Sequence, residues 1–162
     1  MENKIFYDNM TIGFVVIIGI GLFLALEFQQ KSVEPLDSAI GYLDRVIASS
    51  DHRTILSGIE LIKQNVPKEG NPVFIYPTVS TDFARMQTDL DIMLTNVLKI
   101  SDAPVDSSAY HTGMLDLHSR ADVLRENIMD AKLYLYASIP NVLFTMIWLG
   151  GALGLVETLI RK

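Results

Sequence analysis

The sequence predicts an all-α membrane protein: two transmembrane helices flanking an external antiparallel helical bundle of about four helices. Three observations lead there. Apolar runs stand near both ends, residues 10–26 (MTIGFVVIIGIGLFLAL) and residues 139–160 (IPNVLFTMIWLGGALGLVETLI). The residues between them are polar overall but carry apolar positions at helical spacing. A single stretch, residues 67–81, has the prolines and glycine of irregular chain.

A helix needs about 20 mostly apolar residues to cross a hydrocarbon core of ~30 Å. The second run meets this with Glu157 near its end, and Ile5, Phe6, Tyr7 and Phe28 extend the first. A cleaved signal peptide would need a basic start and a small-residue cleavage site. Here Lys4 is the sole side-chain cation before the run, and Glu27-Phe28-Gln29-Gln30 follows it, so an uncleaved anchor is expected. The expected layout is residues 1–9 in the cytoplasm, 10–30 as the first span, 31–137 as the external bundle with an irregular 67–81 loop, 138–160 as the second span, and 161–162 back in the cytoplasm. Lys4, Arg161 and Lys162 support this orientation by the positive-inside rule, while Lys31 and Lys132 flank the spans on the other side. The expected location is therefore a cell membrane, multi-pass, with an extracellular middle domain. Cysteine is absent, which fits an external domain without disulfides and fits cytosolic proteins as well. A net charge of −6 argues against nucleic acid and against anionic lipid as partners.

The first span should continue to about Val33, with Pro35 stopping it, because a proline disfavours helical geometry in the residue before it. A second helix is expected over residues 36–49 with Leu36, Ile40, Leu43 and Ile47 on one face. Asp51 should cap a third over residues 51–66, whose stripe is Ile55, Ile59, Ile62 and Val66. The loop that follows has an apolar centre, Val73-Phe74-Ile75-Tyr76, which should pack on its own bundle or meet a partner. Ser80 or Thr81 should cap a fourth helix through Ser101, with Phe83, Met86, Leu90, Met93 or Leu94, Val97 and Ile100 inward. A fifth should start near Ser107 and bury Tyr110, Met114, Leu117, Ala121, Leu124, Ile128 and Leu135, running on towards Pro140. Four such stripes need one another for burial, hence the bundle.

Candidate sites are few. His118 and Asp122 are four apart on one helix face, with His111 seven residues before His118, a spacing that permits metal ligation. With three histidines and no cysteine the set is incomplete, and surface histidines are the expected outcome. Asp89 and Asp91 do not share a face. Met86 and Met93 could bind copper but lie in the core stripe. No nucleophile with a base and an orienting acid can be named, nor a phosphate loop, so no catalytic, cofactor or metal residues are expected. Small residues let helix backbones approach closely in lipid. Gly150 and Gly154, with Gly21 and Ala25 as a weaker pair, are therefore the candidates for packing against other membrane subunits. Glu157 is a further candidate, either paired with Arg161 or facing a neighbouring helix. Tyr134 and Tyr136 should form an outer aromatic belt, Phe6 and Tyr7 an inner one.

Two spans around a helical bundle resemble the sensor modules of chemoreceptors and histidine kinases, but only Arg161 and Lys162 follow Ile160, so no output domain is expected. The segment from Gly70 (GNPVFIYPTVSTDF) with Gln87-Thr88-Asp89-Leu90 resembles a stretch of small two-span membrane proteins of ammonia-oxidising archaea. That resemblance implies a non-catalytic accessory subunit of a membrane complex such as archaeal ammonia monooxygenase, whose copper ligands belong to other subunits. The alternative expectation is an external ligand-binding or sensory module acting through a separate membrane partner.

Overall fold

The computed structural model describes residues 2–73 and 75–160, and of these residues 2–11, 158 and 159 by backbone alone. Phe74, Arg161, Lys162 and the side chains of Lys4, Ile5, Phe6 and Tyr7, which bear on orientation and on the inner belt, lie outside the described residues. The regular elements are all helical, with no strand among the described residues: α1 (Glu2–Phe28), a π-helical segment (Gln29–Val33), α2 (Glu34–Ala48), α3 (His52–Asn65), a 3-10 turn (Val79–Thr81), α4 (Phe83–Ser101), α5 (Ser108–Tyr136) and α6 (Ile139–Ile160). They fall into two units, one of residues 1–31 and 136–162, the other of residues 32–135.

The chain does not break before Pro35, contrary to expectation. It stays helical through Gln29–Val33 by widening to π geometry, and Pro35 sits in the first turn of α2. In a regular α-helix the pyrrolidine ring would strike the carbonyl of residue 31, and a wider turn relieves that clash. At the other junction the helix ends earlier than expected, at Tyr136. Pro140 has no amide hydrogen to give the Tyr136 carbonyl. The ladder restarts instead at Ser138, whose carbonyl accepts from the Val142 amide at 2.9 Å.

In the second unit α2, α3, α4 and α5 share one apolar core. The stripes of α3 and α4 fall where their spacing puts them, with Ile55, Ile59, Ile62 and Val66, then Phe83, Met86, Leu90, Met93, Val97 and Ile100, all buried. In α5 the buried set is Tyr110, Met114, Leu117, Ala121, Leu124, Ile128 and also Ala131, while Leu135 is half-buried. The α2 stripe is displaced: Leu36, Ala39, Leu43 and Val46 are buried, and Ile40 and Ile47 lie half-buried beside them. The alternation of three and four residues is that of a seam that meets neighbours on both flanks, so Ala39 takes the centre and the larger isoleucines the edge.

The helices alternate in direction. Asp37 pairs with Lys132, Asp44 with Arg125 at 2.7 Å, and the Ser49 carbonyl with His118 Nε2 at 3.1 Å, three rungs between antiparallel α2 and α5. Lys63 pairs with Asp91 between α3 and α4. Gly58 lets α3 come close to α2, since a Cβ there would meet Val46 Cγ2 at 2.7 Å. Asp51 caps α3 as expected, its Oδ2 accepting from the Thr54 amide at 2.9 Å and the Thr54 hydroxyl at 2.7 Å. These bonds hold the Asp51 carboxyl below its ordinary value, the hydroxyl bond contributing most. The cap of α4 is Asp82, not Ser80 or Thr81; its Oδ1 accepts from the Arg85 amide at 3.1 Å. Ser80 and Thr81 are in the 3-10 turn, and their hydroxyls bond Thr78.

Leu90→Ala should cost about 2–5 kcal/mol of unfolding free energy in urea, whereas half-exposed Ile92→Ala should stay within about 0.5 kcal/mol; equal losses would refute the shared core. Asp51→Ala should lower the melting temperature near neutral pH. A carboxyl lowered by folding stabilises above its unfolded pKa, and that contribution is lost as pH falls through the lowered value. The gap between Asp51→Ala and the parent chain must therefore close in acid, and a gap constant with pH would show the cap bonds to be unimportant.

Candidate functional site

In the first unit α1 and α6 form a helical hairpin that is apolar on all sides over residues 12–26 and 142–156. Val15, Val16, Phe23 and Leu26 of α1 and Leu143, Met146, Ile147 and Leu153 of α6 are exposed. Helices this apolar all round suit either a large core or a bilayer. Both α1 and α6 contribute to helical stretches long and apolar enough to cross a membrane. An interhelical hydrogen bond anchors the middle of the hairpin: Trp148 Nε1 donates to the Ile17 carbonyl at 3.0 Å. Gly21 makes this possible, because any Cβ there would fall on the Trp148 indole. At one end Phe28 meets Tyr136 edge-on at 5.9 Å, and the Tyr136 hydroxyl donates to Gln29 Oε1 at 3.0 Å. An open groove of about 520 Å³ lies beside this contact, lined by Ala25, Phe28, Tyr136, Asn141 and Phe144 among others. Within α6 the Thr145 hydroxyl returns to the Asn141 carbonyl at 2.8 Å, so its polar group is satisfied by its own helix.

The small residues proposed for packing therefore divide. Gly21 holds Trp148 of the same chain and Ala25 lines the groove. A Cβ at Gly150 or Gly154 would meet nothing within 4 Å, and the same is true of Gly151. Glu157 is exposed near the end of α6. Tyr136 belongs to the hairpin contact, while Tyr134 is about half exposed on α5.

The histidines gather at the end of the second unit where α2 turns into α3. His52 and His111 each meet the Tyr110 ring edge-on, at 5.5 and 5.7 Å. His118 is bonded to the Ser49 carbonyl, and Asp122 is exposed. No group of three or more His, Asp or Glu able to hold a metal occurs among the described residues. Met86 and Met93 are buried in the core. Asp91 is paired with Lys63, whereas Asp89 turns to a groove of about 270 Å³ between α4 and α5, with Arg85, Ser119, Arg120 and Asn127. Asp116, bonded to Arg120 at 2.8 Å, raises that guanidinium further above its ordinary value.

Three residues that matter to this geometry carry no obvious sequence signal. Trp148 stands mid-run, whereas tryptophan in spans favours the interfaces, and that displacement was its one clue. Asn71 and Gln87 hold the loop between α3 and α4. Asn71 Nδ2 donates to the Thr78 carbonyl at 2.8 Å, while its Oδ1 accepts from the Val73 amide at 3.0 Å and the Thr81 hydroxyl at 2.9 Å. Gln87 Nε2 donates to the Val66 carbonyl at 2.8 Å and the Lys63 carbonyl at 3.0 Å, closing the end of α3.

Comparison with protein-family models, curated proteins and solved structures finds no match for the chain.

Gly21→Val should expel the indole from its notch. The chain has one tryptophan, so its indole N–H gives a single resonance, which should move upfield as the bond to Ile17 is lost. An unmoved resonance would mean that Trp148 is not seated on Gly21.

Proposed function

We propose that this chain is a non-catalytic accessory subunit of a multi-subunit membrane complex, spanning the bilayer with α1 and α6 and holding its four-helix unit outside the cell. The observation that carries the reading is the uncovered face of α6. Trp148 fills the notch at Gly21, yet a Cβ at Gly150, Gly151 or Gly154 would meet nothing within 4 Å among the described residues, and exposed apolar side chains such as Ile147 and Leu153 stand beside them. In lipid, packing between helices comes from close backbone approach rather than from hydrophobic burial, and a glycine face is where a second helix can come nearest. Apolar side chains on all sides support the spanning role, and Lys4, Arg161 and Lys162 support the orientation. The narrower reading, an ammonia monooxygenase of ammonia-oxidising archaea as the complex, rests on the resemblance over residues 70–90.

One observation favours a second reading, an external ligand-binding or sensory module acting through a membrane partner. Arg85, Asp89, Arg120 and Asn127 converge on the groove between α4 and α5, the arrangement of polar groups that a small-molecule site needs. A ligand specific for that groove would raise the melting temperature of the full chain in proportion to its occupancy.

Purification from native membranes in mild detergent should give the chain together with larger integral membrane proteins identified by mass spectrometry. Gly150→Ile or Gly154→Ile should weaken that association about tenfold or more. Migration as an 18.1 kDa monomer without companions would refute the accessory role.

A further inference from the structure

We infer that the loop between α3 and α4 is a lipid-contacting foot, seating Ile75, Tyr76 and Val79 in the interface of the bilayer that α1 and α6 span. The inference rests on the membrane placement proposed above and adds a surface to it.

Place in the fold comes first. The α2 and α3 helices are antiparallel neighbours of nearly equal length, 15 and 14 residues, joined by a short turn. The end of α3 therefore lies level with the start of α2, and the Asp37–Lys132 pair puts the end of α5 at that level too. Residues 32 and 135, where the second unit joins the apolar hairpin, are at this end. The loop leaves the bundle here, and so do the chain segments bound for the membrane. Leu133 and Tyr134, in the last turns of α5, are likewise exposed, at 66% and 47%.

The loop is built rather than slack. The Gly70 carbonyl accepts from the Phe83 amide at 2.9 Å, so its two ends meet as in an Ω-loop. Val73 is buried at 8% and pins the near side, with Asn71 tying Thr78 and Thr81 across the interior. Despite this anchoring, Ile75, Tyr76 and Val79 are exposed at 69%, 88% and 61%. Tyr76 also has a left-handed backbone, φ 58°, which is unfavourable for a residue with a side chain. Strain of that kind persists only where the surrounding structure holds it.

Chemistry then selects lipid over water and over a charged partner. No charged residue occurs from Gly70 to Thr81, so entry into the interface moves no ion out of water. Backbone groups are the usual obstacle to irregular chain in lipid. At the base of the loop Asn71 satisfies the Val73 amide and the Thr78 carbonyl, the Gly70 carbonyl accepts from the Phe83 amide, and Pro72 and Pro77 have no amide hydrogen to satisfy, so the seat proposed is the hydrated headgroup level and not the hydrocarbon. Tyrosine places an apolar ring below a hydroxyl that stays hydrated, which suits the headgroup level. The uncharged tip needs no anionic lipid, in keeping with the chain's net charge of −6.

The absence of cysteine allows one label per molecule without other changes. Full-length Tyr76→Cys, Val79→Cys, Asp106→Cys and Ile147→Cys would each carry an environment-sensitive fluorophore in phosphatidylcholine vesicles containing nitroxide lipid. Asp106 is on the opposite end of the bundle, between α4 and α5, and Ile147 is exposed on α6. Shallow nitroxides should quench positions 76 and 79 about fivefold more than position 106, and deep nitroxides should quench position 147. Quenching at 147 with positions 76 and 79 as wet as 106 would overturn the foot and leave the apolar tip to a protein partner. No quenching at 147 would overturn the membrane placement itself, and the foot with it.

Discussion

Leu43, Ile59, Met93 and Leu117 are all fully buried, and each comes from a different helix. None of the four helices could hide its own apolar stripe, and no pair of them would do so either, because a stripe on a helix is wider than the line along which one neighbour touches it. Mutual burial is thus the constraint from which the rest of the second unit follows. It brings α2, α3, α4 and α5 side by side, and the short turns after α2 and α4, with the closed loop between α3 and α4, make their directions alternate. Alternation in turn decides what lies at each end: the three histidines and Tyr110 at one, the α3–α4 loop and both connections to the hairpin at the other. The exposed ion pairs, Asp44–Arg125 among them, select the register of α2 on α5 more than they hold it there, since surface pairs are worth ~1 kcal/mol or less.

A missing amide hydrogen governs the two places where the chain passes between units. Pro35 and Pro140 both deny a carbonyl one turn earlier its usual donor, and the chain answers differently. Before Pro35 the helix widens and continues. Before Pro140 it stops and begins again at Ser138. Both rings stand second in the helix that follows, so the difference lies in the turn behind them. Pro35 has a widened helical turn behind it, while Pro140 has a break between Tyr136 and Ile139 and opens a new helix, where a donor would have had no partner.

What could be read from the sequence was periodicity, and what could not was any contact set by a single side chain. The stripes of α3, α4 and α5 recur every three to four residues, so Ile59, Leu90 and Leu117 could be placed inward without knowing their neighbours. The α2 stripe was misplaced because Ile40 and Ile47 outrank Ala39 and Val46 in apolar size, whereas position relative to two flanking helices decides burial. The cap is Asp82 and not Ser80 or Thr81 because both lie in the 3-10 turn, with Thr81, 1% exposed, drawn inward to Asn71. As to the site, the open glycines of α6 were legible as small residues in an apolar run. That Gly21 would instead receive Trp148 of the same chain was not, since 127 positions and the whole second unit separate them.

Apolar side chains left outside a protein carry information only when they are grouped and held. Leu115 and Val105 of the second unit are exposed at 72% and 62%, at the far end from the hairpin connections, where they line an open groove with Tyr110, Met114 and two histidines, and exposed apolar residues beside polar ones are ordinary on protein surfaces. The loop is a different case, because the chain invests structure in keeping its apolar residues out. Asn71 spends both ends of its amide inside the loop, Gln87 reaches from α4 to close α3 beneath it, and Tyr76 is held in a conformation it would otherwise avoid. A loop with no use for Ile75 and Tyr76 would relax, turning them onto the bundle beside Val73. Its failure to do so, at the end of the second unit where residues 32 and 135 leave the bundle, is what contact with lipid would account for.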